Sequence, residues 1–358
     1  MIAEFWADGP DSETPPGHWN NLANDVADHP SFQRRIGGTG PILNELEWDV
    51  KMYFALNGAV HDAAIAAWGC KRKYDYIRPI SSIRYMGAVG QSSDSNSPGF
   101  HTTGLPLIAG SIEMVTSQTA AIGQKHSGLV PGRMAIFAWG GEPLNPETEF
   151  TGAKWIHADT WLPYQRDTFV TPSFAGYISA HSAFSRAAAE VLTRMTGNPF
   201  FPGGMGTFHA TRNTYLEFEE GPSVDITLQW ATYYDAADEA GISRLYSGIH
   251  FPVDDNPGRI MGSTCGIQAW ECARKYFDGS IANDEVNATI ELDAFNNCTI
   301  GWNSLPSFSY KVEASVDLNN FSPLSGGQQG HEYTNSFNLS MPGAEKLFFR
   351  VTKTVAKN

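Results

Sequence analysis

Residues 171–187, TPSFAGYISAHSAFSRA, constrain the fold of this chain most, because they place polar chemistry at the start of a predicted helix. Good helix formers run on from His181. Either Ser179 or Ser182 could cap them, since a serine hydroxyl accepts hydrogen bonds from first-turn N–H groups. A helix start also presents unpaired N–H groups and the positive end of the helix dipole, so it suits an anion. Taken alone, however, Ser-x-His is more typical of an ordinary capped helix.

Two further polar blocks flank this stretch at a distance. Residues 71–79 read K-x6-R-P, and residues 243–254 read S-R-x5-H-x3-D. The proline that closes the first block disfavours helix at the residue before it, so we expect Lys71 to end a helix and Arg78 to lie in the extended exit. The formal net charge is −14. Clustered cations such as Lys71, Arg78 and Arg244 in so acidic a chain indicate a site for an anion.

Together with Ser179-Ala180-His181, the blocks at 71–79 and 243–254 resemble the signature of the vanadium-dependent haloperoxidases. The resemblance is specific because three separated motifs keep their order and internal spacing, and it extends over roughly residues 1–280. That family shares its site and its helical-bundle core with the type 2 phosphatidic acid phosphatases and the bacterial acid phosphatases. The resemblance therefore implies a mostly α fold in which a helical bundle carries the site near its helix ends.

The resemblance implies vanadate as the cofactor, a tetrahedral oxyanion that needs fixed cations and hydrogen-bond donors. Arginine forks suit its oxygens, and lysine supplies a compact charge. His250 would be the only side chain bonded to the metal, and its other ring nitrogen needs an acceptor that fixes the tautomer. The implied vanadate-binding groups are Lys71, Arg78, Ser179, the Ala180 N–H, Arg244 and His250.

The implied reaction is the oxidation of halide by hydrogen peroxide to hypohalous acid, which halogenates a small organic acceptor. His181 is the implied acid–base residue that deprotonates hydrogen peroxide, and Lys71 would polarise the bound peroxide. The resemblance also assigns the surroundings of the site: Trp68 and Phe174 on the halide side, Asp8 paired with the second arginine, and Asp254 behind the metal ligand.

One residue departs from the family pattern, which reads Ser-Gly-His where this chain has Ser179-Ala180-His181. Alanine still offers its backbone N–H, but its Cβ disfavours positive φ. If the position needs glycine geometry, we expect a strained site and weak activity.

Two other functions fit the same residues. In an acid phosphatase, His250 would attack phosphate as the nucleophile, and His181 would protonate the leaving group. Trp68 ahead of Lys71, and the RPISSIR run at residues 78–84, are closer to the peroxidases. The third interpretation is an inactive bundle, disabled by the alanine at the serine–histidine motif, that serves as a scaffold.

Apolar periodicity and helix-stop signals divide the rest of the chain. We predict one or two core helices over 40–70, further helices over 105–123, 181–195, 223–245 and 257–277, a loop over 200–222, and irregular structure over 125–170. Composition shifts near residue 280, where β-branched, aromatic and polar residues begin to alternate. The predicted domains are a helical vanadate-binding peroxidase domain over 1–280 and a small β-sandwich-like accessory module over 285–356.

The apolar opening IAEFW, together with the family's further upstream helices, leads us to expect that part of the bundle precedes Met1. An apolar face left without a partner also predicts association with a second copy. The acidic net charge argues against a nucleic-acid or anionic-membrane partner, and with no run of about 20 apolar residues we expect no membrane-spanning helix. The resemblance implies a secreted or periplasmic protein, although Met1 is not followed by a signal-peptide pattern.

Overall fold

The computed structural model describes residues 1–7, 13–283, 285–294, 297–306, 308–331, 333–340 and 347–355. The chain separates into two compact units, residues 1–273 and residues 274–358. The division into domains over 1–280 and 285–356 stays a prediction. Among the described residues, no helix combines the length and the apolarity that a bilayer span requires.

The first unit is a bundle of helices arranged around one buried helix, α5. The helices are α1 (Ile2–Phe5), α2 (Pro15–Asp28), α3 (Glu45–Tyr74), α4 (Pro79–Val89), α5 (Ala180–Thr196), α6 (Tyr233–Tyr246) and α7 (Pro252–Asp278). Helices α2, α3 and α6 pack on α5, which is buried along almost its whole length. The predicted helix over 181–195 is confirmed with one residue more at each end, and the prediction over 40–70 becomes the single helix α3.

Glycines on one face of α7 let its backbone approach α5 closely. A Cβ on Gly262 would lie 2.2 Å from the Ala183 carbonyl oxygen, and one on Gly266 would lie 2.5 Å from that of Ala187. Side chains at these positions would therefore force the helices apart, as at other close helix crossings built on small residues. The close approach fixes the start of α7 beside the start of α5, where the polar motifs lie.

The helix predicted over 105–123 is wrong. Gly110 adopts a φ of +80°, which ends any local helix, and the chain turns there into strand β1 (Ile112–Met114). This strand pairs with β2 (Met134–Trp139), and β2 pairs with β3 (Ala153–His157) in an antiparallel sheet. The irregular structure predicted over 125–170 therefore missed two strands, which bury their own small hydrophobic cluster.

The predictions over 200–245 are also partly wrong. A β-hairpin lies where the sequence predicts a loop followed by the start of a helix. Strands β4 (Gly206–Ala210) and β5 (Ile226–Trp230) pair antiparallel. The run ITLQW alternates in burial, which is the period of a strand and not of a helix. Helix α6 begins after Thr232, whose hydroxyl and the Asp235 carboxylate form a reciprocal capping box. Helix α7 begins at Pro252, five residues before its predicted start at Pro257.

The second unit contains two antiparallel sheets. The strands are β6 (Ala288–Leu292), β7 (Asn297–Ser304), β8 (Phe308–Ser315), β9 (Ser322–Pro323), β10 (Gln328–Gln329), β11 (Tyr333–Ser340) and β12 (Phe348–Val355). One sheet has the order β11-β7-β6, and the other has the order β10-β8-β12 with β9 also on β8. Alternate residues of β7 and β8, among them Ile300, Trp302, Tyr310 and Val312, share one hydrophobic cluster. The predicted switch to strand periodicity is confirmed.

Candidate active site

The separated polar motifs meet at one cavity of about 310 Å³ in the first unit. Each side chain arrives from a helix end: Lys71 from the last turn of α3, Arg78 from the residue before α4, His181 from the first turn of α5, Arg244 from the last turn of α6, and His250 from the turn before α7. All five line the cavity. Helix ends supply unpaired backbone groups at the same place, so a bundle can hold a polar site in its interior.

Lys71 is buried, with only 3% of its surface exposed. Its Nζ donates to the Ala175 carbonyl at 3.0 Å and to the Gly176 carbonyl at 2.9 Å. Burial, followed by the nearby Arg78 guanidinium, lowers the pKa of Lys71 to about 7, while Asp254 acts in the opposite direction. An ammonium has three donors, and two are used here, so one N–H remains for a bound anion.

Arg78 lies in extended backbone immediately before α4, as the pre-proline restriction predicts. Its Nε donates to the Phe174 carbonyl at 2.9 Å, and its terminal nitrogens donate to the carbonyls of Ile249 at 2.8 Å and Ala175 at 3.3 Å. Burial lowers the pKa of Arg78 to about 10, so it stays charged at neutral pH. Backbone carbonyls therefore hold both cations in place before any ligand binds.

His250 is held between a carboxylate and a guanidinium. Its Nδ1 donates to Asp254 Oδ2 at 2.9 Å, while its Nε2 lies 3.1 Å from Arg78 and can only accept from that donor. Burial lowers the pKa of His250 to about 4, although the hydrogen bond that His250 donates to Asp254 acts to raise it. The ring is therefore neutral at pH 7, with the Nε2 lone pair on the side of the cations. The arrangement supplies the tautomer that a metal ligand requires.

His181 also has a defined tautomer. Its Nε2 lies 2.9 Å from the Trp6 carbonyl oxygen, and because a carbonyl only accepts, the proton resides on Nε2. Burial, with added repulsion from Arg244 and His250, lowers the pKa of His181 well below its ordinary value. Nδ1 is then the basic atom of a neutral ring. Arg244 is almost fully buried, and it donates to the Ser243 hydroxyl at 2.9 Å and to the Ala3 carbonyl at 2.5 Å.

Ser179 is the cap of α5, one of the two caps that the sequence predicts. The residue is fully buried, its hydroxyl accepts from the Ser182 N–H at 3.3 Å as the cap of α5, and it is not among the residues that line the cavity. Its own N–H donates to the Asp254 carbonyl at 2.9 Å, which ties the start of α5 to α7. The hydroxyl keeps its own O–H donor while it caps the helix, so its role as an oxyanion donor stays a prediction; Ala180 lines the cavity.

Ala180 needs no glycine geometry. It is the first residue of α5, with helical backbone, and its φ is not positive. Its N–H belongs to the first turn, where backbone donors have no partner within the helix. The backbone at this position therefore does not require glycine, and the effect of alanine on activity stays a prediction. Asp8, predicted to pair with the second arginine, lies outside the described residues.

Trp68 and Phe174 form an aromatic rim on the cavity. Their ring centres are 5.2 Å apart, and Phe184 stacks on Trp68 at 6.1 Å. Lys71 Nζ lies 5.2 Å from the Phe174 ring centre. Trp68 is 44% exposed and Phe174 is 42% exposed, so this rim faces solvent while the cations lie behind it. Asp254 is fully buried behind His250, and its Oδ1 has no partner among the described residues.

Sequence reasoning missed part of the cavity wall: Thr14, Gln165, Phe169, Pro172, Phe184 and Ile249. Gln165 matters most, because it is 6% exposed and its Nε2 has no hydrogen-bond partner in the described part of the chain. A buried amide donor without a partner is costly, and an anion in the cavity would satisfy it. Residues 125–170 carry no periodicity, so no sequence signal could have singled out this residue.

Comparisons with known proteins agree with this arrangement. A family model, the VCPO second helical-bundle domain, matches residues 51–279. Crystal structures of an apo-type and a holo-type bacterial vanadium-dependent chloroperoxidase match at 17% and 16% identity, with TM-scores of 0.53 and 0.50. They cover 78% and 77% of this chain but 45% and 43% of their own, so the chain spans less than half of their length.

A bacterial vanadium-dependent iodoperoxidase matches at 21% identity over 75% of this chain and 42% of its own, with a TM-score of 0.41. A search among curated proteins found no match. At their identities the two chloroperoxidase structures establish a shared fold and no more. The family model covers more than half of the 358 residues and contains most of the cavity residues. The chain therefore belongs to the vanadium haloperoxidase family.

Proposed function

We propose that this chain binds vanadate and oxidises halide with hydrogen peroxide to hypohalous acid, which then halogenates a small organic acceptor. One observation carries the proposal: three buried cations and two neutral histidines of defined tautomer line a single cavity at a helix start. The chain spans less than half of the solved relatives, so activity is proposed here from the site itself.

The donor set of the cavity fits a tetrahedral oxyanion. Lys71 and Arg78 each keep an N–H beyond those given to carbonyls, and Arg244 adds a third cation. The first-turn N–H of Ala180 and the unpartnered Gln165 amide supply neutral donors. Burial is the main cause of the lowered pKa of Lys71, and the Arg78 guanidinium adds to it while Asp254 acts in the opposite direction; a bound oxyanion would favour the charged ammonium.

In this proposal His250 holds the metal through Nε2, and Asp254 fixes the ring by accepting from Nδ1. Vanadate, when bound, supplies a Lewis acid that activates hydrogen peroxide for transfer of oxygen to halide. His181, whose Nε2–H is held by the Trp6 carbonyl, is the acid–base residue that accepts a proton from hydrogen peroxide. Lys71 would donate its remaining N–H to the hydrogen peroxide oxygen that gains negative charge as the other oxygen passes to halide. The aromatic rim of Trp68 and Phe174 provides an apolar approach for halide.

The phosphatase alternative rests on the same neutral His250, whose Nε2 lone pair is also suited to attack phosphorus. Halogenation of a dimedone-type acceptor with bromide and hydrogen peroxide, after vanadate loading, is the test, run beside hydrolysis of a phosphate ester. We expect halogenation, and loss of reconstitution in excess phosphate, because both oxyanions compete for the same cations. Brisk ester hydrolysis without halogenation would establish the phosphatase. Failure to retain either oxyanion would establish the scaffold.

The matched controls are two lysine variants two residues apart. Lys71→Met removes the buried ammonium and should abolish activity, whereas Lys73→Met removes an exposed one and should leave it unchanged. Equal loss in both variants would show that general surface charge, and not the cavity, holds the anion.

We further propose that the second unit is a sandwich-like accessory module, supported by its two sheets and their shared hydrophobic cluster. Family resemblance supports action outside the cytoplasm.

A further inference from the structure

A second cavity of about 450 Å³ lies in the first unit, and its chemistry is opposite to that of the oxyanion site. Four carboxylates line it, from Glu4, Glu13, Asp25 and Glu217, and no described Lys or Arg side chain does. We call this cavity the acidic pocket. Its size falls in the range of small-molecule sites, which is about 300–1,000 Å³.

Several carboxylates of the acidic pocket exert their negative charge on the same lining residue, Tyr215. Glu4 is 6% exposed, and it accepts from the Tyr164 hydroxyl at 2.5 Å and from the Glu217 N–H at 2.6 Å. Burial raises the pKa of Tyr215, and the charges of Glu4, Glu13 and Glu217 raise it further. Three of the four carboxylates thus oppose a negative charge on Tyr215, itself a lining residue, although Glu4 also faces the Met1 ammonium. The same field favours a positive one.

His18 provides an independent sign of a ligand. It lines the acidic pocket and is only 5% exposed, yet its Nε2 has no hydrogen-bond partner among the described residues. Its Nδ1 faces Glu13 Oε2 at 3.6 Å. Burial lowers the pKa of His18, so the ring is neutral at pH 7. The nearby Glu13 carboxylate favours the proton on Nδ1, so we assign Nε2, which is buried and has no partner among the described residues, as an acceptor for a ligand donor.

The remaining wall is aromatic. The Phe5 ring centre lies 4.6 Å from Phe208 and 5.5 Å from Trp230, and Phe208 lies 5.1 Å from Tyr215. All four line the pocket. Aromatic faces attract cations and also bury apolar groups. In the described part of the chain, no group of three His, Cys, Asp or Glu side chains is placed to hold a metal ion, so the wall favours an organic cation over a bare metal ion.

We propose that the acidic pocket binds a small organic cation, a primary ammonium carried on an apolar or aromatic group. The ammonium supplies the N–H donors that His18 Nε2 and the carboxylates accept, and the apolar part packs on Phe208 and Trp230. The proposal does not rest on vanadate chemistry, and its test uses the full chain without vanadate. A failure of halogenation therefore does not affect the proposal for the acidic pocket. Failure of the ammonium to bind does not affect the proposed haloperoxidase function.

The test is calorimetric titration with 2-phenylethylammonium chloride, beside neutral 2-phenylethanol of the same shape. We expect the ammonium to bind at least about tenfold more tightly than the alcohol. Glu13→Gln and Asp25→Asn change exposed side chains, so we expect both variants to fold. Each should weaken ammonium binding about 2- to 5-fold, which is the usual range for a solvent-exposed ion pair, and the double variant about tenfold.

Glu147→Gln removes an exposed carboxylate that does not line the acidic pocket, so it should leave ammonium binding unchanged. A His18→Gln variant should also weaken binding, with the amide oxygen as partial replacement for Nε2. Equal affinity for the alcohol and the ammonium would overturn the proposal. So would parental affinity in the Glu13→Gln, Asp25→Asn double variant, or displacement of the ammonium by Ca²⁺ at equal concentration.

Discussion

Binding of an oxyanion in the cationic cavity should place a proton on Lys71, and the pH dependence of that uptake tests the electrostatics of the site. Burial and the neighbouring Arg78 lower the pKa of Lys71 to about 7 in the free protein. At pH 8, about one tenth of the molecules then carry the Lys71 charge, because one pH unit is a tenfold ratio. An anion beside the amine restores the charged form, so about 0.9 proton should enter with each anion.

Sulfate is the suitable probe, since it stays a dianion from pH 6 to pH 8 and contributes no proton of its own. Titration calorimetry in two buffers of different ionisation enthalpy gives the number of protons taken up. We expect about 0.9 at pH 8 and about 0.1 at pH 6, where Lys71 is already charged before sulfate binds. His250, with its pKa lowered to about 4, is neutral in the free protein at both values.

The control is Lys71→Arg, which keeps a positive charge at both pH values because a guanidinium does not lose its proton in this range. It should bind sulfate without the extra uptake at pH 8. Proton uptake that is equal at pH 6 and pH 8, or that persists in the arginine variant, would refute Lys71 as the titrating group. It would also refute the lowered pKa that we assign to its burial beside Arg78.

Four further outcomes are expected. His250→Ala should lose vanadate retention in equilibrium dialysis, whereas His181→Ala should retain vanadate and lose about 10²–10⁴-fold in turnover; the reverse pattern would exchange their roles. Gln165→Leu should weaken oxyanion binding about tenfold without lowering the melting temperature, because it removes a donor that has no partner in the free protein; unchanged affinity would place the amide outside the site. Ala180→Gly should not raise activity and should lower the free energy of unfolding by less than about 1 kcal/mol, since the position is helical. The folded-state pKa of His250 is about 4, below the 6.5 of a free histidine, so its stabilising contribution is complete above pH 6.5 and is lost as pH falls through 4. The difference of 2.5 pH units corresponds to a loss of about 3 kcal/mol in the free energy of unfolding as the pH falls. Measured by denaturant unfolding, the stability of His250→Gln should therefore fall less between pH 7 and pH 4 than that of the parent.

Rules that involve only neighbouring residues account for the site residues that lie where the sequence predicts them. The proline after Arg78 restricts that residue to extended backbone, so the end of α3 and the exit of the arginine were readable from the sequence. Ser179 caps α5 because a serine hydroxyl satisfies a first-turn N–H, which again involves only near neighbours. Once helix ends were located, His181 and Arg244 could be assigned to them without knowledge of the tertiary fold.

The same local rules failed where pairing partners are distant in sequence. The segment 105–123 contains enough apolar residues for a helix, but strand β1 forms there because β2, about twenty residues on, supplies its hydrogen bonds. The run at 223–230 reads as the start of a helix until β4 pairs with it. Strand formation depends on such partners more than on intrinsic preference, so sequence alone decides it poorly.

Residue types and local spacing are enough to show which residues carry charge, where α5 begins and ends, and which family pattern the motifs follow. What those residues do together depends on contacts between segments that are far apart in the chain. The tertiary structure turned Ala180 toward the cavity. It also placed the Gln165 amide unpartnered on the cavity wall and brought His18 beside Glu13 in the acidic pocket. Burial and long-range contacts set pKa values and leave donors or acceptors unsatisfied, and neither is encoded in any short stretch of chain.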